Sequence, residues 1–247
     1  MIDKLDLVSI ISKYHLGGIV EQVRWEIKDN QLGIGFSSPA KDLVGRVDYK
    51  GFPLEDSMVA FSNTTQLTKL IAITNGYLNL EYTKQNKHIT KLVIADNQYT
   101  LDYALADLLL IPKAGELAGE FSYTVTADMD NESIAAIVKA KQALTDTNTV
   151  VLKNSPNDDG EDRLELCFGG NIKHSNKVSF YLPDVNIQTP EFIEHYDSNM
   201  IKEIMYCNKD MASGKMSLCL QENSEHMKLE FENDNLKSTY YLVSKEK

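Results

Sequence analysis

Four short segments with helical spacing are set into a chain that otherwise alternates apolar and polar residues, and they come in the same order twice. Residues 3–14, 63–75, 131–145 and 198–209 each carry one apolar stripe: Leu7, Ile10, Ile11 and Tyr14; Leu67, Leu70 and Ile71; Ile134, Ile137 and Val138; Ile201, Ile204 and Met205. Asn63, followed by Gln66 three residues on, has the pattern of a helix start, as does Asp197 or Ser198 for the fourth segment. The order helix, strands, helix, strands is read from about residue 1 to 110 and again from about 122 to 247. This predicts two similar domains, 1–110 and 122–247. Residues 111–121 (IPKAGELAGEF) lack any period and read as an extended connector.

Period two runs through the rest. Val23/Trp25/Ile27 and Leu32/Ile34/Phe36 flank a Lys28-Asp29-Asn30 turn. Leu78/Leu80/Tyr82, Leu92/Ile94, Tyr99/Leu101/Tyr103, Leu164/Leu166/Phe168, Val178/Phe180/Leu182, Met216/Leu218/Leu220, Met227/Leu229/Phe231 and Thr239/Tyr241/Val243 follow the same rule. Most of these strands have one polar face, which predicts antiparallel sheets covered on one side and an α+β fold class.

The 247 residues carry a net charge of −11, which excludes a protein that binds nucleic acid over its whole surface. The charge is uneven, because the four helical segments total +3 and leave −14 for the remainder. Lysines on a helix also simply solvate an exposed face. Three widely spaced cysteines (Cys167, Cys207, Cys219) fit a reducing, cytoplasmic compartment without a disulfide framework. No apolar run approaches the roughly 20 residues that span a bilayer, and the charged start MIDKLDLVSIISKY is unlike a signal peptide.

Catalytic signatures are missing. The five histidines lack metal-ligand spacing, and Gly33-Ile34-Gly35 lies inside a strand pattern without a third glycine. Asp128-Met129-Asp130 is explained as an acidic helix start, and Asn157-Asp158-Asp159-Gly160 as a hairpin tip. No metal, cofactor or enzymatic activity is expected.

Local stretches resemble DNA sliding clamps, the polymerase processivity factors, and most of all those of T-even-type bacteriophages. Residues 56–80 (DSMVAFSNTTQLTKLIAITNGYLNL) resemble that family's strand, second helix and next strand. Residues 92–105 (LVIADNQYTLDYAL) resemble the strand closing its first domain, with the IAD turn. Residues 197–209 resemble the fourth clamp helix, and 227–244 (MKLEFENDNLKSTYYLVS) the last hairpin of phage clamps and of the proliferating cell nuclear antigen. The resemblance implies the DNA clamp fold, a head-to-tail homotrimeric ring around duplex DNA, a replicative polymerase and an ATP-dependent clamp loader as partners, and no membrane. In a phage it also implies contact with the transcription machinery, in the host cytoplasm. Twelve helices spaced about 8–10 Å around a ring leave a lumen of roughly 25–30 Å, wide enough for a duplex.

The resemblance also implies sites. Lys69, Lys139, Lys141, Lys202 and Lys209, with Lys4 and Lys13, are expected to face DNA from the polar sides of the helices. Partner peptides are expected beside the connector, at Pro112 and Leu117, with Leu43 and Val44 and with Tyr241, Leu242 and Val243 of the last strand. Subunits are expected to pair residues 92–105 with an edge such as 177–182. Ser244 stands where the eukaryotic clamps have proline, and the connector is short. A structural phage ring or tube protein, β-rich and acidic as well, is the alternative reading.

Overall fold

The computed structural model describes residues 1–86, 88–115, 119–170, 175–182, 184–222 and 224–245. The chain divides into two compact units, Met1–Leu117 with Asp234–Ser238, and Ala118–Asn233 with Thr239–Lys247. Each has a helix pair and antiparallel sheets.

In the first unit the elements are β1 (Ile2–Asp3), α1 (Lys4–His15), β2 (Val23–Lys28), β3 (Gln31–Ser37), β4 (Leu43–Lys50), β5 (Ser57–Phe61), α2 (Thr64–Ala72), β6 (Tyr77–Gln85), β7 (His88–Ala95) and β8 (Thr100–Ala104). One sheet runs β1-β6-β7-β8 and another run of strands is β4-β3-β2-β5. The β2–β3 hairpin closes on Asp29 and Asn30, both at positive φ (52° and 58°), the two-residue turn whose twist suits a hairpin. Asp3 Oδ1 caps α1 by accepting from the Leu5 N–H at 2.7 Å, and Asn63 Oδ1 caps α2 by accepting from Gln66 N–H at 2.8 Å. The helices pack together, and Leu7, Ile10, Ile11, Tyr14, Leu67 and Ile71 are all buried. Burial of aliphatic side chains of this size contributes about 1.5–3 kcal/mol each.

The second unit contains β9 (Val125–Asp130), α3 (Asn131–Ala143), β10 (Thr149–Asn154), β11 (Leu164–Gly169), β12 (Lys177–Leu182), β13 (Val185–Ile187), β14 (Ile193–Asp197), α4 (Ser198–Cys207), β15 (Ser213–Cys219), β16 (His226–Glu232) and most of β17 (Leu236–Val243). Its sheets run β12-β11-β10-β14 and β13-β9-β15-β16-β17. Asp130 caps α3 through Ser133 N–H, and Asp197 caps α4 through the Asn199 and Met200 N–H groups. Asn157 Oδ1 accepts from the N–H groups of Asp159 and Glu161, so the acidic run 157–160 is a hairpin tip as read. The α+β class with two helices and antiparallel sheets in each half agrees with the sequence.

The phase of the last strand differs from its sequence reading. Residues 240–243 are apolar on both faces, so alternation alone cannot choose between them. Leu236, Ser238, Tyr240 and Leu242 are buried, whereas Val243 is 52% exposed. In α2, Thr64 takes the buried place given to Leu70, which is half-buried.

Candidate nucleic-acid interface and partner groove

The seven expected lysines separate by environment. Lys69, Lys139 and Lys209 are exposed on or just beyond α2, α3 and α4. Lys209 lies over the ring of Tyr206 with Nζ 4.2 Å from its centroid, a cation–π contact on the outer face of α4. Lys202 is half-buried and pairs with its neighbour Glu203 at 2.5 Å.

Lys13 and Lys141 are corrections, because both are buried. Lys13 lays its stem into the α1 packing face and donates to Ser9 Oγ at 2.9 Å. Lys141 turns back on its own helix end and donates to the carbonyls of Leu144 (3.2 Å) and Thr145 (2.9 Å), the natural place for a cation at a helix C-terminus. Burial, reinforced by the neighbouring Lys202 charge, pushes the Lys141 ammonium below its ordinary range. Lys4 likewise donates to Ala72 O at 2.9 Å and to Thr74 O, so it closes the end of α2. In their place the outer face of α1 shows Leu5 (76% exposed), Val8 and Asp6.

One sheet in each unit ends in a strand without an outer partner among the described residues. These are β8, bonded only to β7, and β12, bonded only to β11. β1 and β13 are terminal as well but only two and three residues long, and the edges of β5 and β14 each receive an isolated backbone hydrogen bond. Ala106 donates to Ala60 O of β5 at 2.9 Å, and Lys245 N–H donates to His195 O of β14 at 2.7 Å. Residues 92–95 of the expected subunit-pairing stretch lie in β7, which is interior, so only 100–104 offers an edge. Behind β12, buried Glu165 accepts from Ser179 Oγ (2.6 Å) and pairs with Lys177 (3.1 Å) and Lys153 (3.3 Å). Burial alone raises this carboxyl, but those hydrogen bonds and ammonium charges outweigh it and hold it down to about 2.

A groove of about 730 Å³ opens in the first unit between residues 18–22, the β3–β4 hairpin and residues 112–115. Val44 and Pro112 line it, whereas Leu43 faces the core with no exposure. Leu117 lies outside the described residues. Leu242 is buried, and Tyr241 packs beside His226 in the second unit, ring centroids 5.9 Å apart. Gly35 of β3 has a structural reason here. A Cβ on Gly35 would stand 3.3 Å from Ala114 Cβ, so the missing side chain lets the connector lie against the strand.

Sequence reading missed Leu109 and Leu110, which are 90% and 74% exposed on the turn just before Pro112. The signal was present in three consecutive leucines, 108–110, ahead of Ile-Pro with no strand period. Together they form a small exposed apolar patch, the kind of surface a partner contact covers.

Among the described residues no group of three or more His, Cys, Asp or Glu side chains is placed to hold a metal, and no helix is long and apolar enough to cross a membrane. No family model matches the sequence, and no curated protein matches it. Solved structures do match. The proliferating cellular nuclear antigen (PCNA) of Entamoeba histolytica superposes with a TM-score of 0.76 at 14% identity, covering 99% of this chain and 96% of that one. This chain has the PCNA clamp fold. The A. fulgidus PCNA bound to the C-terminal region of FEN-1 gives 0.74 at 17% identity, covering 100% and 97%. The PCNA2–PCNA3 complex of Sulfolobus tokodaii gives 0.73 at 12%, covering 99% and 98%. At such identities the likeness is one of fold, extending over both halves of the chain.

Proposed function

We propose that the protein is a DNA sliding clamp. Three copies close head to tail into a ring around duplex DNA, and the ring tethers a replicative polymerase without catalysing any reaction. The observation that carries this reading is the match of the whole chain to the PCNA fold, since that fold is a duplicated ring segment with no catalytic constellation of its own.

Two further features support it. The bare edges of β8 and β12 lie in different units, as a heterologous contact requires, and closing such contacts into a ring removes exposed strand edges. The exposed cations on the helices belong to an otherwise acidic chain, which favours weak, sequence-independent attraction to phosphates there and repulsion elsewhere. Lys69, Lys139, Lys202 and Lys209 are the DNA-facing set.

The groove beside residues 112–115, with Leu109 and Leu110, is the surface for partner peptides. The A. fulgidus PCNA of the same fold carries the C-terminal region of FEN-1, and an extended C-terminal segment with apolar anchors is the ligand class that such a groove fits. A polymerase so tethered stays near the primer end through effective concentration. The solved structures above are eukaryotic and archaeal, so affinity with phage clamps, and with it contact to the transcription machinery, rests on the sequence resemblance alone.

Light scattering across a concentration series tests the ring. A mass near three times 27.8 kDa that dissociates only on dilution supports it, and a monomer at high micromolar concentration counts against it. Loader-dependent stimulation of polymerase processivity separates a clamp from a structural ring or tube protein.

A further inference from the structure

Leu109 and Leu110 stand out from a turn whose backbone is tied down at several points. Asp107 Oδ1 accepts from the Leu109 N–H at 2.8 Å, and Asp107 O accepts from the Leu110 N–H at 3.0 Å. Ile111, the next residue, is buried as a plug. Upstream, Ala106 donates to Ala60 of β5. Ala60 pairs with Arg24 of β2, and the Arg24 side chain reaches across to this turn. Its Nε donates to Ile111 O at 2.7 Å, and its Nη2 donates to Leu108 O at 2.7 Å and also to Ile111 O. One guanidinium therefore joins the carbonyls on either side of the two leucines.

We propose that Arg24 is a positioning residue for the partner surface: it fixes the turn of residues 107–111, which runs directly into the groove-lining residues 112–115, so that Leu109 and Leu110 are presented, already ordered, to an apolar-anchored peptide. The inference rests on the groove being the partner surface. Its physical basis is preorganisation, because a turn held rigid before binding loses less conformational freedom when the peptide docks. A planar fork suits the task. Two carbonyls several residues apart are met by donors at fixed separation on one rigid group, which an ammonium does not supply. Arg24 acts through the backbone carbonyls of the turn and need not touch the peptide.

The test uses the full chain in its assembled form, with a synthetic peptide of the C-terminal segment of the DNA polymerase encoded in the same genome. Arg24→Ala is expected to leave the scattering mass unchanged, to speed amide hydrogen exchange at Leu109 and Leu110, and to weaken peptide binding about tenfold, the scale of lost hydrogen bonds from a charged donor. Arg24→Lys keeps the charge and serves if the alanine variant does not assemble; it is expected to lose most of the same binding. The two effects should not add: in a Leu109→Ala background, removing Arg24 should cost little more, because both changes act through one turn. A merely structural arginine would give additive losses and would overturn the assignment, as would unchanged exchange at Leu109 and Leu110. Wild-type protein that binds no such peptide overturns the partner groove, and Arg24's role with it. Wild-type binding that survives both Arg24 variants overturns this inference alone.

Discussion

The helix pairs of the two units are built alike and charged differently. Both pack apolar stripes against each other and begin on Asp or Asn caps. Yet the outer faces of α1 and α2 offer Leu5, Val8, Asp6 and one exposed lysine, Lys69, whereas α3 and α4 offer Lys139, the half-buried Lys202, and Lys209 just beyond the helix end. Burial widens the difference, because Lys13 is spent inside the first unit and Lys4 on the end of α2. The fold is duplicated, but the chemistry proposed to face DNA is concentrated in the second copy. A clamp needs only weak phosphate attraction, so nothing in its mechanism demands equal shares.

Reversing the second unit's charges is expected to have the largest effect. Lys139→Glu, Lys202→Glu and Lys209→Glu together should reduce loading and processivity by at least about tenfold near physiological salt, and flatten the salt dependence by roughly one unit of log–log slope per lost contact. Lys69→Glu alone should cost about twofold on the same scale. Equal losses from the two sets would erase the asymmetry. Filter binding and primer extension across a salt series supply the numbers.

Next in size is a change at the groove. Gly35→Val places a branched side chain where Ala114 now lies. It should displace the connector and weaken the polymerase peptide by about 1–2 kcal/mol in calorimetry, leaving DNA retention intact. Lys141→Met should lower the melting temperature without altering DNA binding, since its ammonium is occupied by Leu144 and Thr145 carbonyls. A drop in DNA affinity would return Lys141 to the interface.

The smallest effect concerns pH. Glu165 is held well below its ordinary 4.5, down to about 2, so folding gains stability from it above about 4.5 and loses that gain as pH falls from there toward 2. Glu165→Gln should flatten the acid limb of the unfolding midpoint against pH in this window. An unchanged limb would remove Glu165 from the support of β12.

Much of the architecture was legible in the residues. Helices announce themselves through a 3.6-residue stripe and an Asx cap: Asn63 and Asp197 were legible as starts and Asp128-Met129-Asp130 as an acidic one, whereas the Asp3 cap emerged only in the structure. Strand parity was legible where one face is polar and failed at Tyr240–Tyr241–Leu242–Val243, where both are apolar. The lysines were the hardest to read. A helical wheel places Lys13 and Lys141 near the polar side, but it cannot tell that a long stem has found Ser9 or that an ammonium has turned back to its own carbonyls. Arg24 was invisible for a related reason. Its partners lie 84 and 87 residues away at Leu108 and Ile111, and only the folded sheet brings them within reach.

A ring is retained by topology, so an intact circle and a cut one should hold it differently. The protein, loaded by its clamp loader and ATP onto a nicked circular duplex, is separated from free protein by gel filtration, and the circle is then cut once. A ring threaded by DNA stays with the intact circle through a high-salt wash and leaves within the time of sliding once an end exists. Protein held by local contacts would wash off the circle at high salt, or remain on the DNA after linearisation, and either result would contradict the clamp.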